Sequence, residues 1–272
     1  MRIGRVALLA AVITSSFLFG NSAAAETLRI GGTGAATPMM RHVGAIFAKQ
    51  SEIKIEVIPG LGSGGGIRAV ADGVLDIAIS GRQFKPDEMG RGLTAIAAMR
   101  TPFVLATSHR NPGGLKASDV SELFKHTKAK WPDGAPLRLI LRSKGDSDIT
   151  LLGDLFPGMS DALEAARLRP DVPIAATDQD NTELAQRLEG SLIGATFTQI
   201  KMEKGALRMI AIDGVEPNLE NFEKGAYRYG KTLYIILPAT KSAAAERFVA
   251  FLQSPQGQAA LRDSGALPVV AK

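Results

Sequence analysis

Residues 27–38 read TLRIGGTGAATP. Thr27–Gly31 has the apolar content of a short strand, Gly31-Gly32-Thr33-Gly34 forms a glycine turn, and Pro38 fits the first position of a helix, where its missing N–H costs nothing. Met39, Val43, Ile46 and Phe47 then recur at helical spacing. A strand, a glycine turn and a helix in that order begin an α/β fold. The pattern continues outward. Ile53–Ile58 alternates as a strand, the loop Pro59–Gly66 (PGLGSGGG) leads to a helix over Ile67–Asp72, and Leu75–Ser80 (LDIAIS) is a strand of the buried type.

Further strands are expected over Ile96–Ala106, Leu137–Leu141, Leu192–Thr196, Arg208–Ile212 and Thr232–Leu237. Helices are expected over Val120–Phe124, Asp161–Ala166, Asn181–Leu188 and Ala243–Leu252. Strands alternating with helices argue for parallel sheets covered by helices on both faces. There is no internal repeat and no low-complexity linker, so two domains would have to share crossing strands.

Upstream of this pattern, residues 1–25 carry Arg2 and Arg5 and no acid, then the apolar run Val6–Leu18, then Ala23-Ala24-Ala25. That is the order of a cleaved secretory signal, with an uncleaved anchor as the alternative. The chain is therefore expected to be exported. The net charge of +5 loses two with Arg2 and Arg5, and the remaining Lys and Arg are scattered among few aromatics. This is not the basic, aromatic-lined track of a nucleic-acid binder. With no cysteine, thiol catalysis, thiolate metal sites and disulfides are excluded, and a hydrophobic content of 45% must hold the chain by its core alone.

Three segments have the chemistry of anion capture. Gly32–Pro38 brings backbone N–H groups and the Thr37 hydroxyl to a helix start, where the unpaired amides carry partial positive charge. A plain turn capped by Thr37 is the competing reading. Gly60–Gly66 places five glycines in seven residues around Ser63 and Gly64. Because ordered glycine costs up to about 1 kcal/mol relative to alanine, a backbone nest around an anion explains it better than a connector does. It is no P-loop, since the lysine and hydroxyl of that motif are missing. Arg142 ends a buried strand and offers a planar, permanently charged fork, with Gly145 and Ser147 leading into another helix start. Ser80 and Arg82 stand at a further strand end, where Arg82 reads equally well as a solvated charge.

These segments, with DIAISGR at 76–82, LFKHTKAKWPDGAPLRLILR at 123–142, Thr177-Asp178, IAIDGVEP at 210–217 and FVAFLQSPQGQAAL near the C-terminus, resemble the phosphate-binding periplasmic receptors of ABC importers. The resemblance runs from about residue 28 onward. It implies a two-lobed α/β clamshell of the type II periplasmic-binding-protein class, joined by two crossing strands. Lobe I would hold 26–104 and 229–272, and lobe II 105–228, with Thr101–Thr107 and Thr232–Leu237 as the crossing strands. The implied ligand set is Thr37, Ser63, Gly64, Ser80, Arg82, Arg142, Gly145 and Ser147 around a small inorganic anion, with phosphate first. It implies no cofactor and no metal, and a monomer that meets a membrane permease or a sensor.

Two departures from the family pattern bear on the ligand. The family's Ser-Gly-Thr is Asp146-Ser147-Asp148 here, and its proton-accepting aspartate falls on Gly81. Like charges about 4 Å apart repel by several kcal/mol at an effective dielectric near 20. Either Asp146 and Asp148 point outward, with Asp148 capping the next helix, or the ligand is not phosphate. A degenerate receptor presenting its clamshell to an envelope partner is the alternative function. An exported hydrolase built on Asp146, Asp148, Asp178 and Asp180 is a third, although His42, His109 and His126 show no metal or nucleophile spacing.

Overall fold

The computed structural model describes residues 26–269; the signal reading falls on residues 1–25, outside them. The chain begins with β1 (Thr27–Gly32), a 3-10 turn and α1 (Thr37–Ser51), then β2 (Lys54–Val57), α2 (Gly62–Ala71), β3 (Ile77–Ser80) and the long β4 (Leu93–Thr107). The middle of the chain supplies α3 (Ala117–Lys125), β5 (Arg138–Leu139), β6 (Leu141–Arg142), α4 (Ser147–Leu155), α5 (Met159–Arg167), β7 (Ile174–Ala175) and α6 (Asp178–Arg187). After it come β8 (Ser191–Thr196), α7 (Phe197–Glu203), β9 (Arg208–Met209) and α8 (Leu219–Glu223). The chain returns through β10 (Gly230–Pro238), α9 (Ala243–Gln253), α10 (Pro255–Asp263) and β11 (Leu267–Pro268).

The main sheet runs β2-β1-β3-β10-β4-β8-β5, with β9 and β11 also on β4, and β6 pairs β7 apart from it. The expected parallel sheets are found in part and corrected in part. β1 is parallel to β2 and β3, and β5 to β8, but β10 lies antiparallel to both β3 and β4. The physical reason is the return of the chain: β10 inserts between two earlier strands and closes the sheet against their direction. Helices do cover both faces. Ile77, Ile79, Leu233, Ile235 and Leu237 pack into one core with α1, α9 and α10, while Ala78 and Ile236 pack with Ile67 and Val70 of α2 on the other face. The same alternation recurs further along the sheet. Phe103, Leu105 and Leu192 join one core with α3 and α5, and Val104, Ala106 and Ile193 join another with α6. Strands buried on both faces read as unbroken apolar runs, which is why LDIAIS was legible.

Three boundaries differ from expectation. Pro38 is the second residue of α1 and Thr37 the first, with Ala36 at the cap position. The C-terminal helical run breaks at Ser254, whose hydroxyl accepts the Gly257 N–H to cap α10 just before Pro255. The glycine loop is not a loop throughout, because α2 already begins at Gly62. A Cβ at Gly66 would lie 2.7 Å from Gly32 Cα, and Gly32 itself has φ +118°. Part of the glycine content thus serves the close approach of α2 to β1 rather than a ligand. Among the described residues no helix is long and apolar enough to cross a membrane.

Candidate functional site

The polar residues gather where β3, β6, β10 and the starts of α1, α2, α4 and α6 approach one another. Arg142, at the end of β6, is almost wholly buried. Its Nη1 donates to the Ala175 carbonyl at 3.0 Å, its Nη2 to Asp146 Oδ2 at 2.7 Å, and its Nε lies 3.7 Å from Asp178 Oδ1. Asp178 stands in the first turn of α6, and its Oδ2 accepts the Ala35 N–H at 3.1 Å. Beside it, Gln179 Nε2 donates to the Gly34 carbonyl at 3.0 Å. The glycine turn after β1 therefore presents its amide to an oxyanion, and that oxyanion is a carboxylate of the protein.

A second ion pair lies in the same cluster. Lys231, near the start of β10, is 1% exposed and pairs with Asp148, itself 2% exposed, while its Nζ is 3.0 Å from Ser147 Oγ. Of the two alternatives for the carboxylates, the outward orientation with Asp148 as the cap is corrected here. Asp146 is the cap of α4, accepting the Asp148 N–H at 2.8 Å, and this sets Asp148 in the first turn with its side chain turned inward. The reason is the spacing of caps: once Asp146 takes the capping position, residue 148 falls on the buried side of α4. One oxygen from each of Asp146, Asp148 and Asp178 lies within 4.8 Å of the others. Arg142 and Lys231 supply the positive charge among them.

Three carboxylates face two cations. Burial pushes the Asp148 carboxyl up to about 6 against the pull of the Lys231 ammonium, and Asp178 and Asp146 add to the rise. Burial also raises the Asp178 carboxyl, opposed by Arg142 and reinforced by Asp146. For Lys231, burial works to lower the ammonium, but Asp148, Asp178 and Asp146 together outweigh it and raise it. The Lys231 ammonium is thus favoured in its charged form, while Asp148 and Asp178 bind a proton more readily than ordinary carboxylates do.

The remaining expected ligands fall around this cluster at different depths. Ser63, buried in the first turn of α2, accepts the Gly81 N–H at 2.9 Å. Thr37 is buried at the start of α1, two residues beyond Ala35. The Ser80 hydroxyl is spent on its own turn, donating to the Arg82 carbonyl at 2.6 Å. Arg82 grips Glu88 with both arms of its fork, at 2.6 and 2.8 Å, beside Gly64. Gly145 is exposed on the loop before α4. Asp178 and Lys231 were not among the expected ligands. The signal for Lys231 was the missing side chain at Gly81. A cavity of about 10 Å³ lies on the inner side of Arg142 and Asp148, among Phe103, Phe124, Ile149 and Leu152 of the hydrophobic core. His109 stacks on Trp131 with ring centroids 5.1 Å apart, away from the cluster.

The sequence profile of the PBP superfamily domain matches residues 20–256. Among solved structures, a protein from Clostridium perfringens described as a candidate phosphate ABC transporter substrate-binding protein, with bound phosphate, superposes with a TM-score of 0.77 at 20% identity. The match covers 90% of this chain and 100% of that one. An ABC-type phosphate transport receptor from Vibrio cholerae matches with a TM-score of 0.62 at 15% identity, and a periplasmic molybdate-binding protein from Azotobacter vinelandii with 0.62 at 12%. Both cover 90% of this chain and 100% of their own. No curated protein sequence matches it.

Proposed function

Since this chain belongs to the PBP superfamily, we propose that it is an exported solute-binding protein whose two lobes close over a small oxyanion for an ABC importer. The lobes follow the cores. Residues 28–99 and 233–266 supply the buried members of one pair of clusters, and residues 103–229 those of the other. β4 passes from one pair to the other, pairing β10 over Leu93–Pro102 and β8 over Phe103–Ala106. The proposed division, lobe I as 26–104 with 229–272 and lobe II as 105–228, would shift by one or two residues on this basis, because Phe103, Val104 and Tyr229 pack with the second pair.

The observation that carries the reading is the setting of Asp178. Its carboxylate is held by the Ala35 amide at the end of a glycine turn and faces the buried Arg142. A helix-start amide and a guanidinium converging on one oxyanion form the receptor half of an anion site. A free anion would take the place of Asp178 on these donors, with Ser63, Ser147 and Lys231 nearby. Phosphate and molybdate, named for the similar structures, are the first candidates. The protein would act as a monomer and pass its ligand to a membrane permease.

A degenerate receptor is the second reading. What favours it is the buried Lys231–Asp148 pair, which fills the cluster with charges of the protein's own. Hydrolysis has less support, because Asp146, Asp148 and Asp178 are all engaged by cations or amides. A thermal-shift panel of phosphate, sulfate, molybdate, tungstate, phosphonates and divalent cations tests the proposal. At 100 times its dissociation constant, a ligand adds about 2.7 kcal/mol, or roughly 5–10 °C for a chain of this size. A shift with an oxyanion supports the solute-binding reading; a panel with no anion shift sinks it.

A further inference from the structure

The contacts across the cleft are made by groups of the protein alone: one ion pair, Lys231 with Asp148, and hydrogen bonds of Asp178 and Gln179 with the glycine turn. Lobe I contributes Lys231, the Ala35 amide and the Gly34 carbonyl; lobe II contributes Asp148, Ser147, Asp178 and Gln179. When both faces of a cleft offer only donors, they repel until a ligand supplies the negative charge between them. Here one face brings its own carboxylates. Each contact also has a glycine that makes room for it. A Cβ at Gly34 would lie 2.6 Å from Asp178 Oδ2, and one at Gly81 would lie 2.6 Å from Lys231 Nζ. An ammonium 1% exposed is tolerated only where it is paired. Opening the lobes would break that pair and return both charges to water.

We propose that this cleft closes without a ligand: the Lys231–Asp148 and Asp178–Ala35 contacts latch the lobes together in the free protein, and an anion enters by displacing Asp178. The inference rests on the two-lobe, solute-binding reading. It makes Lys231 and Asp178 positioning residues that set the resting state of the cleft, and it makes anion binding a competition with an internal carboxylate.

The chain has no cysteine, so a pair introduced as Asp87→Cys and Asp161→Cys, both at exposed positions assigned to opposite lobes, takes spin labels cleanly. Pulsed dipolar spectroscopy then reads the distance between lobes. The latch predicts one short distance in the phosphate-free protein and no further shortening with phosphate. Lys231→Met, or Asp178→Asn as a milder neutral replacement, should shift it to a longer and broader distribution. A long distance in the free wild type that shortens on adding phosphate would overturn the latch while leaving the binding function standing. A short distance in the wild type that persists in both variants would overturn it too. Short distances with no phosphate heat in calorimetry would keep the latch and count against phosphate as the ligand.

Discussion

The ammonium of Lys231 fills the space a side chain at Gly81 would need: a Cβ built there would lie 2.4 Å from Lys231 Cε and 2.6 Å from Nζ. Real side chains do not approach so closely, and Ser147 Oγ at 2.7 Å closes the other side. Gly81→Ala should therefore cost about 1–3 kcal/mol by overpacking. The cost should fall when Lys231 is also shortened to Ala, because the two changes share one space. Urea unfolding of the two single variants and the double variant measures that coupling; simple additivity would mean the two positions do not compete.

Breaking the buried pair should be expensive, and replacing it whole should not. Lys231→Met leaves Asp148 buried without its cation and is expected to cost about 3–5 kcal/mol. Adding Asp148→Leu removes the stranded charge and should recover much of that loss. The denaturation midpoints of the single and double variants decide it.

Stability should rise as the pH falls from about 7.5 to 5. Asp148, raised to about 6 in the folded protein, binds its proton more tightly there than in the unfolded chain. The folded state then carries the extra proton, and stability increases as pH drops through the folded value. Asp178, raised by the same burial, acts in the same direction. The charges facing Asp148 are Lys231, Asp178 and Asp146, and Lys231, raised from its ordinary value, stays protonated throughout this window. Glu88 is lowered by its bond to Arg82, so its contribution is lost only below the ordinary carboxylate range and does not oppose the trend. Each 1 kcal/mol gained raises Tm by about 2–4 °C. Thermal melts at the two pH values should show the rise in the wild type and a smaller one in Asp148→Asn.

Much of the fold was legible because its signals are local. Ile77–Ser80 is buried on both faces and reads as an apolar run, and the Gly31–Gly34 turn marks a strand-to-helix passage. The antiparallel entry of β10 was not legible, because its pairing with Ser80 and Ile79 joins residues far apart in the chain. In the site, Arg142 and Ser147 could be placed from a strand end and a helix start. Asp148 could not, since Asp146-Ser147-Asp148 offers two possible caps and the choice between them decides which carboxylate turns inward. Lys231 and Asp178 matter through contacts made across the fold; Asp178 could be noticed in the Thr177-Asp178 segment without its role, and the trace of Lys231 was the empty position at Gly81.

Restoring the family pattern should strengthen anion binding. Asp146→Ser keeps a residue that caps helices well, and Asp148→Thr frees Lys231 for the ligand. Removing two carboxylates should tighten phosphate by at least tenfold, which corresponds to about 1.4 kcal/mol. Competition binding with the double variant and the wild type checks this. Unchanged or weaker affinity would mean the carboxylates do not oppose the anion.

The central claim is that an oxyanion binds between the lobes on Arg142. Calorimetric titration of the oxyanion giving the largest thermal shift, into the wild type and Arg142→Ala, tests it most directly, with circular dichroism to confirm that both are folded. The account predicts a single site in the wild type and a loss of about 2–5 kcal/mol in Arg142→Ala, roughly 30- to 5,000-fold in affinity. Equal affinities for the two proteins would contradict it.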